Sequence, residues 1–538
     1  MKISKNIFAG ILGILLLSPL SCSDDFLEQT DTINVSEDVL FKKPSDGVAL
    51  VNSIYNTFDD DGWNTDFYMK KALSYIANYL TQDFHNWGND IFWLNYQINV
   101  TNASMKALWD RFYKGIATAN SAFPIIEKMM EENVISEELG NRLMGEAYFL
   151  RGLFYYYLGS TFGGVPLELE SVTDAGLHPR NTQDEVFAAV EADMAKASEL
   201  LPWKEDMPQS ELGRATRGAA LGYKGAAQMW LKKYAEAVAT YNQLEGKYEL
   251  VENFVDIHEY DNQNNKESIF EIQYLIPEGG GRGWSGFTND SHWLSSFGIP
   301  WEVLNSFGYE YADPKLYLSF EPGDQRKLCT VIGPDDEHPS PAIEIKNYAH
   351  VQARFAEGDP AYIGPDNNII NTCGTVDNPW LGDVPDALPR SGYYGTKFWR
   401  DPNVIEPNEA FISDQNVILL RFGEILISKA EAQLKSGDEA GALATLQRVR
   451  DRAWGKLADP SVVVPPPPGG DVMKMIVNEY RHEVAGELSL WFVLRRSGEH
   501  IDYVFDEFGI TIPNGHDLMP IPATAIATNP TLEQNPGY

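Results

Sequence analysis

The 538-residue sequence offers little for covalent or metal-based stability. It has three cysteines, Cys22, Cys329 and Cys373, whose spacing fits no zinc pattern. Nine histidines, with no nucleophile placed beside them in a recognisable motif, give no acyl-transfer constellation. Basic residues are scarce: 42 Lys and Arg against 77 Asp and Glu leave a formal net charge of -35. With no basic stripe to offset that charge, a phosphate backbone is repelled, which excludes nucleic-acid binding. Long apolar runs are also missing. The most apolar stretch, residues 7–17, is shorter than the roughly 20 residues a membrane-spanning helix needs.

That stretch reads instead as the core of a secretory signal, residues 1–21, with Lys2 and Lys5 ahead of it and the small Ser21 behind. Cys22 is then the expected lipid-attachment site. The position three before it holds Pro19 rather than Leu, and ordinary cleavage near Ser21 is the plainer alternative. Ser23, Asp24, Asp25, Phe26 and Leu27 follow without a second apolar segment, which favours lipidation. Each acyl CH₂ buried in lipid contributes about 0.8 kcal/mol, and more than one chain gives stable anchoring. Without the two leader lysines the charge becomes -37, from 77 acidic and 40 basic residues. Cys329 and Cys373 then remain as an even pair in an oxidising compartment, and both a bridge and two buried thiols fit the sequence.

What is present is enough apolar surface for a large core, 43% of residues, arranged mainly at helical spacing. Met144, Ala147, Leu150, Phe154, Tyr157 and Leu158 recur at three- and four-residue steps, and Gly163, Gly164 and Pro166 end the pattern. Residues 218–231 and 235–244 form a second helical block, broken at Lys232 and Lys233. Residues 417–434 and 440–453 repeat the design around Ser436, Gly437 and Asp438, and a last helix is predicted over 472–496. Small residues face aromatics within these pairs, a pattern that resembles tetratricopeptide repeats of irregular period. Residues 269–276 read as a short strand. From there to about Ile412 the chain is rich in Gly, Pro, Asp, Asn, Trp and Tyr, the composition of binding loops set on a scaffold. Pro465 to Pro468 reads as a polyproline spacer.

Several segments in order resemble the SusD/RagB family of Bacteroidetes outer-membrane nutrient-binding lipoproteins. They are Gly145 to Arg151 leading to Phe162–Pro166, Pro179 to Thr182, Gly213 to Ala220, Leu420 to Glu424, Arg481 to Glu483 with Gly486 and Glu487, and Leu518 to Pro522 with Gln534 to Gly537. The acidic pair behind Cys22 is similar to the surface-export signal of such lipoproteins. The resemblance implies a mainly α fold, with a tetratricopeptide-like helix-pair scaffold on one side and loops and short strands building a ligand-binding side. It divides the mature chain into an N-terminal region, 22–265, and a C-terminal region, 266–538, packed as one unit. It further implies a surface lipoprotein that captures a nutrient glycan and passes it to a SusC-like TonB-dependent transporter, some relatives handling peptides instead.

Two aromatic–polar clusters suit sugar, whose apolar C–H faces stack on Trp while Asp and Asn bond the hydroxyls. The expected ligand residues are Asp83, Asn86, Trp87 and Trp93 in the first cluster and Trp284 and Trp293 in the second, where Asn289, Asp290 and His292 interleave. Each Trp has a packing role as its plain alternative, and Trp109, Trp230 and Trp491 sit at helical spacing and read as core. Catalytic and cofactor patterns are weak. Glu479, Glu483 and Glu487 fall on one helix face, which is usually a structural or solvated row, whereas glycosidase carboxylates flank the sugar from different elements. His482 and Glu483 lack a second zinc-binding His, since Gly486 stands there. The pattern Gly281, Gly283, Gly286 is not followed by a helix, and Asp59 to Asp61 lack the alternating ligands of a calcium loop. The expectation is a binding protein without cofactor or metal; a peptide binder and a surface glycoside hydrolase are the alternatives.

Overall fold

The computed structural model describes residues 40–58, 66–86, 91–172, 177–275, 310–333, 336–340, 393–398, 415–468 and 470–538. Cys22, Trp87, Trp284, Trp293 and Cys373 lie outside them, as does the Gly281–Gly286 pattern; Cys329 is buried.

The scaffold is a series of helices, most of them packed on a neighbour in sequence. They are α1 (Pro44–Tyr55), α2 (Asp66–Asn78), α3 (Ala103–Glu131), α4 (Glu137–Phe162), α5 (Gln183–Leu200), α6 (Arg217–Trp230) and α7 (Tyr234–Tyr241), then α8 (Phe422–Lys435), α9 (Glu439–Ala453), α10 (Val472–Val484), α11 (Leu490–Ser497) and α12 (His500–Phe508). From α3 to α9 each helix packs against its successor, and α8 also packs on α10. Packing mainly against neighbours in a stack is how helical repeats build a core from hairpins that cannot bury their faces alone.

Local chemistry sets the ends of these helices. Ser136 caps α4 through Leu139 N, and Thr182 and Glu185 form a reciprocal capping box on α5. Thr216 caps α6 and Asp438 caps α9. α4 stops where Gly163 takes a positive φ of 78°. The expected pairing of small residues with aromatics is present: a Cβ on Gly225 of α6 would lie 2.2 Å from the Tyr241 ring of α7.

The segments that carry the family resemblance turn out to be one another's partners. Glu146, buried in α4, accepts from Arg214 at 2.9 Å. Arg180 donates to Gly164 O at 2.6 Å and to Asn535 Oδ1 at 2.7 Å, tying the turn after α4 to the C-terminal tail. Arg421 donates to Glu483 and Glu487. Polar residues scattered over some 390 positions thus close on each other inside the fold.

Two helix predictions differ from the structure. Residues 417–421 are not the start of α8 but a strand, Val417–Arg421, antiparallel to Ser268–Ile272. All five of its residues are buried, and a short continuous apolar run has no period to separate strand from helix. The predicted helix over 472–496 is two helices. The chain leaves helical geometry after Val484, and Gly486, at φ +79°, donates its N–H to Asn78 Oδ1 at 3.1 Å. Trp491 is buried in the core, as is Trp109, and Trp230 packs at its edge.

Candidate functional site

The region between α7 and α8 is tied to the scaffold by short strands. Phe84–Asn86 pairs antiparallel with Glu310–Ala312, with Asn86 opposite Glu310, and Val331–Ile332 pairs with Tyr394–Gly395. Ala312 N donates to Tyr393 O at 3.0 Å, joining the two pairs. Asn86 is the last residue of its strand and Glu310 the first of its own. The chain therefore leaves toward the first aromatic cluster directly beside the point where it returns from the second.

This sheet rests on buried charge. Asp83, just ahead of the first strand, has no solvent exposure. Arg481 of α10 donates to one of its oxygens at 2.9 Å, and the Tyr503 hydroxyl of α12 donates to the other. Burial pushes the Asp83 carboxyl above its ordinary value, against the pull of Arg481. The Asp83 carbonyl also serves the sheet, accepting from Asp313 N at 2.7 Å. Trp93 is likewise fully buried, its ring edge-on to Tyr75 at 5.6 Å. Two residues expected at the ligand face therefore lie in the interior, where they hold up the strand that carries Asn86. In a cluster read from sequence, a packing residue and a binding residue share the same type and spacing.

Behind the sheet is a larger ionic cluster that was only partly visible in sequence. Glu479 and Glu483 lie on α10 but Glu487 lies beyond its end, so the expected single helix face is broken; all three are buried and structural. Five cations meet five buried carboxylates there: Arg326, Lys397, Arg421, Arg450 and Arg452 against Glu267, Asp324, Glu479, Glu483 and Glu487. Arg421 reaches Glu267 at 2.9 Å and Glu483 at 2.5 Å, and donates to both oxygens of Glu487 at 2.8 and 3.0 Å. Lys397 donates to Glu483 O and Glu487 Oε1, both at 2.7 Å. Arg326 spans Asp324, Glu479 and Glu483.

Burial alone would raise Glu483, but Arg452, Arg421 and Arg326 override it and hold the carboxyl well below its usual range. Glu487 is lowered in the same way, chiefly by Arg421 and Lys397. Burial lowers Lys397 to about 8, His258 to about 4 and His482 to about 3. These histidines are neutral when folded and protonate near their ordinary value of 6.5 when unfolded. At these two sites the unfolded chain binds more protons as pH drops below about 6.5, and their contribution to stability falls with it. Burial raises Glu310 and Glu424 to about 7, which acts in the opposite sense. The expected result is therefore a difference: His258→Gln gains melting temperature relative to the wild type as pH falls from 6.5 toward 4. Scanning calorimetry of both proteins across that range checks it, and a difference that does not change with pH counts against the buried neutral imidazole.

The ionic cluster is chemically quiet. Its carboxylates are paired and closed off, with no facing pair across an open cleft, so it positions rather than reacts. Three members, Asp324, Arg326 and Lys397, come from the inter-helix region itself, and the rest from the scaffold or its flanks. The arginines were in plain view in sequence, several within the family motifs, but which carboxylate each would meet required the fold. Among the described residues no group of His, Cys, Asp and Glu could hold a metal ion.

Stacked helix pairs with a charge-pinned set of loop roots define a helical-scaffold protein. The family profile described as "Starch-binding associating with outer membrane" matches residues 25–231, and the one described as "SusD family" matches residues 249–538. The chain belongs to the SusD family. SusD-like protein P25 of Formosa agariphila is 24% identical over the full length of both chains, and a SusD-like protein of Bacteroides ovatus is 24% identical over 47% of each. Among solved structures, a laminarin-binding SusD-like protein superposes with a TM-score of 0.69 at 21% identity, covering 92% of this chain and 100% of the other. Surface glycan-binding protein A of Bacteroides thetaiotaomicron, in complex with laminarihexaose, gives 0.70 at 17% identity, covering 91% and 99%. At these identities the structural likeness establishes the fold.

Proposed function

We propose that this protein is a cell-surface lipoprotein, anchored to the outer membrane through Cys22, that binds a nutrient glycan and hands it to a SusC-like TonB-dependent transporter. The observation that carries the reading is the Asn86–Glu310 pairing, which brings the roots of two Trp-bearing segments together on a base fixed by buried charge. Asn86, Trp87, Trp284 and Trp293 are the proposed contacts, with Asp83 and Trp93 behind them. Family membership and relatives described as binding laminarin or laminarihexaose support glycan as the ligand class. No helix among the described residues is long and apolar enough to cross a membrane, which agrees with an anchor made of lipid.

Calorimetry of the purified protein against a panel of neutral and acidic polysaccharides tests the ligand class. Saturable binding to at least one glycan without release of products is the expected result. Binding to peptides alone would falsify the glycan assignment, and released oligosaccharides would point to a hydrolase. A separate measurement addresses the anchor: in Cys22→Ser, the protein is expected to move from the membrane fraction to the soluble fraction with its glycan affinity unchanged.

A further inference from the structure

A cleft of about 580 Å³ opens on the scaffold, between the first half of α3, the strap at residues 166–172 and the short helix Ala523–Thr528. It shares no lining residue with the two aromatic clusters or the ionic core. We propose that it is a second saccharide site, taking the end of a neutral sugar chain; the inference rests on the glycan-binding reading above.

The walls of this cleft are fixed before any ligand arrives. The Tyr113 hydroxyl donates to Pro166 O at 2.8 Å, and Asn120 Nδ2 donates to Glu168 O and Glu170 O at 2.8 and 3.0 Å. Arg151 Nη1 donates to Leu169 O at 2.7 Å. Successive carbonyls of the strap are thus held by side chains rooted in α3 and α4. The opposite wall is tied just as firmly, with Ala523 N donating to Val100 O at 2.8 Å and Asn529 Nδ2 donating to His178 O at 2.7 Å. A preformed cleft costs a ligand little ordering free energy.

The lining has the chemistry a sugar ring meets. Trp109 and Tyr113, one helical turn apart with ring centroids 4.9 Å from each other, form an aromatic corner in the floor. Ala117, one further turn along, is exposed and leaves the floor open beyond it. Among the described residues the rim carries Asp110, Glu168 and Glu170 against one lysine, Lys106, which pairs with Asp110. Glu168 Oε1 meets His178 Nδ1 at 2.6 Å, leaving its other oxygen and Glu170 to a ligand. Ionised carboxylates only accept hydrogen bonds, so this rim suits a ligand rich in hydroxyl donors. Three carboxylates to one ammonium, on a chain with a net charge of -35, repel uronic or sulfated sugars. The volume lies within the range of small-molecule sites, roughly 300–1,000 Å³, enough for a chain end rather than a long polymer.

The test uses the full-length protein and three variants, titrated by calorimetry with a panel of neutral gluco-, manno- and xylo-oligosaccharides and with oligouronates. Ala117→Trp fills the cleft from an exposed helix position, Glu170→Arg reverses its rim charge, and Trp87→Ala lies in the proposed loop site. The wild type is expected to show two classes of site for a neutral oligosaccharide. Ala117→Trp should weaken one class at least about tenfold while leaving the other intact, and Trp87→Ala should do the reverse. Glu170→Arg should admit oligouronates to the cleft. If Ala117→Trp melts like the wild type and binds every oligosaccharide as the wild type does, the cleft site is refuted while the glycan reading stands. A wild type that binds none of the sugars overturns both.

Discussion

Arg421→Ala is expected to lower the unfolding free energy by about 3–5 kcal/mol, the cost of stranding a buried charge. Arg421 is fully buried and contacts Glu267, Glu483 and Glu487 together. Its removal leaves Arg452, Lys397 and a shared contact from Arg326 to balance three carboxylates that cannot reach water. Whole-protein stability is commonly only 5–15 kcal/mol, so the variant is expected to accumulate poorly or melt far below the wild type. Arg448→Ala provides the contrast. Arg448 forms a pair with Glu245 and its side chain is 44% exposed; such surface pairs contribute about 0–1 kcal/mol. Thermal unfolding of the two variants side by side decides the matter. Equal, small losses in both would show that the buried cluster is not what holds the region together.

The second large effect is expected at the loops. Trp87→Ala and Trp284→Ala should each weaken glycan binding by about 2 kcal/mol, roughly thirtyfold in Kd, as for an aromatic hot spot. Their melting temperatures should match that of the parent. Trp93→Ala should behave in the opposite way. Trp93 is fully buried against Tyr75, so truncating it opens a cavity costing about 3–5 kcal/mol, and any loss of binding follows loss of fold. Isothermal titration beside a melting curve separates the two classes. Normal affinity in both loop variants would move the ligand site elsewhere.

The scaffold was legible from the chain because its signals are local. Met144 to Leu158 repeat at helical spacing, and Gly163, Gly164 and Pro166 stop the helix. What was not legible depended on distant partners. Val417 to Arg421 became a strand only because Ser268 to Ile272 lie alongside. Glu479, Glu483 and Glu487 looked like a row that might face water until Arg326, Arg450 and Arg452 arrived from other elements. Asp83 and Trp93 have the composition of a binding loop, and only their burial shows them to be supports. The extended backbone of a binding strand and its buried support differ in which way alternate residues point, and composition carries no record of that.

The buried cluster also has a consequence for how such a protein changes over generations. Arg326 and Lys397 bracket most of the 333–393 interval, and each is pinned to the α10 end of the scaffold through Glu479, Glu483 or Glu487. The second Trp-bearing segment is bounded in the same way, by Ile272, which pairs with Val417, and by Glu310, which pairs with Asn86. These positions act as sockets: sequence between them can be replaced wholesale while its two points of attachment stay where they were. Ligand preference is then free to drift by exchange of cassettes, with the charged framework inherited unchanged.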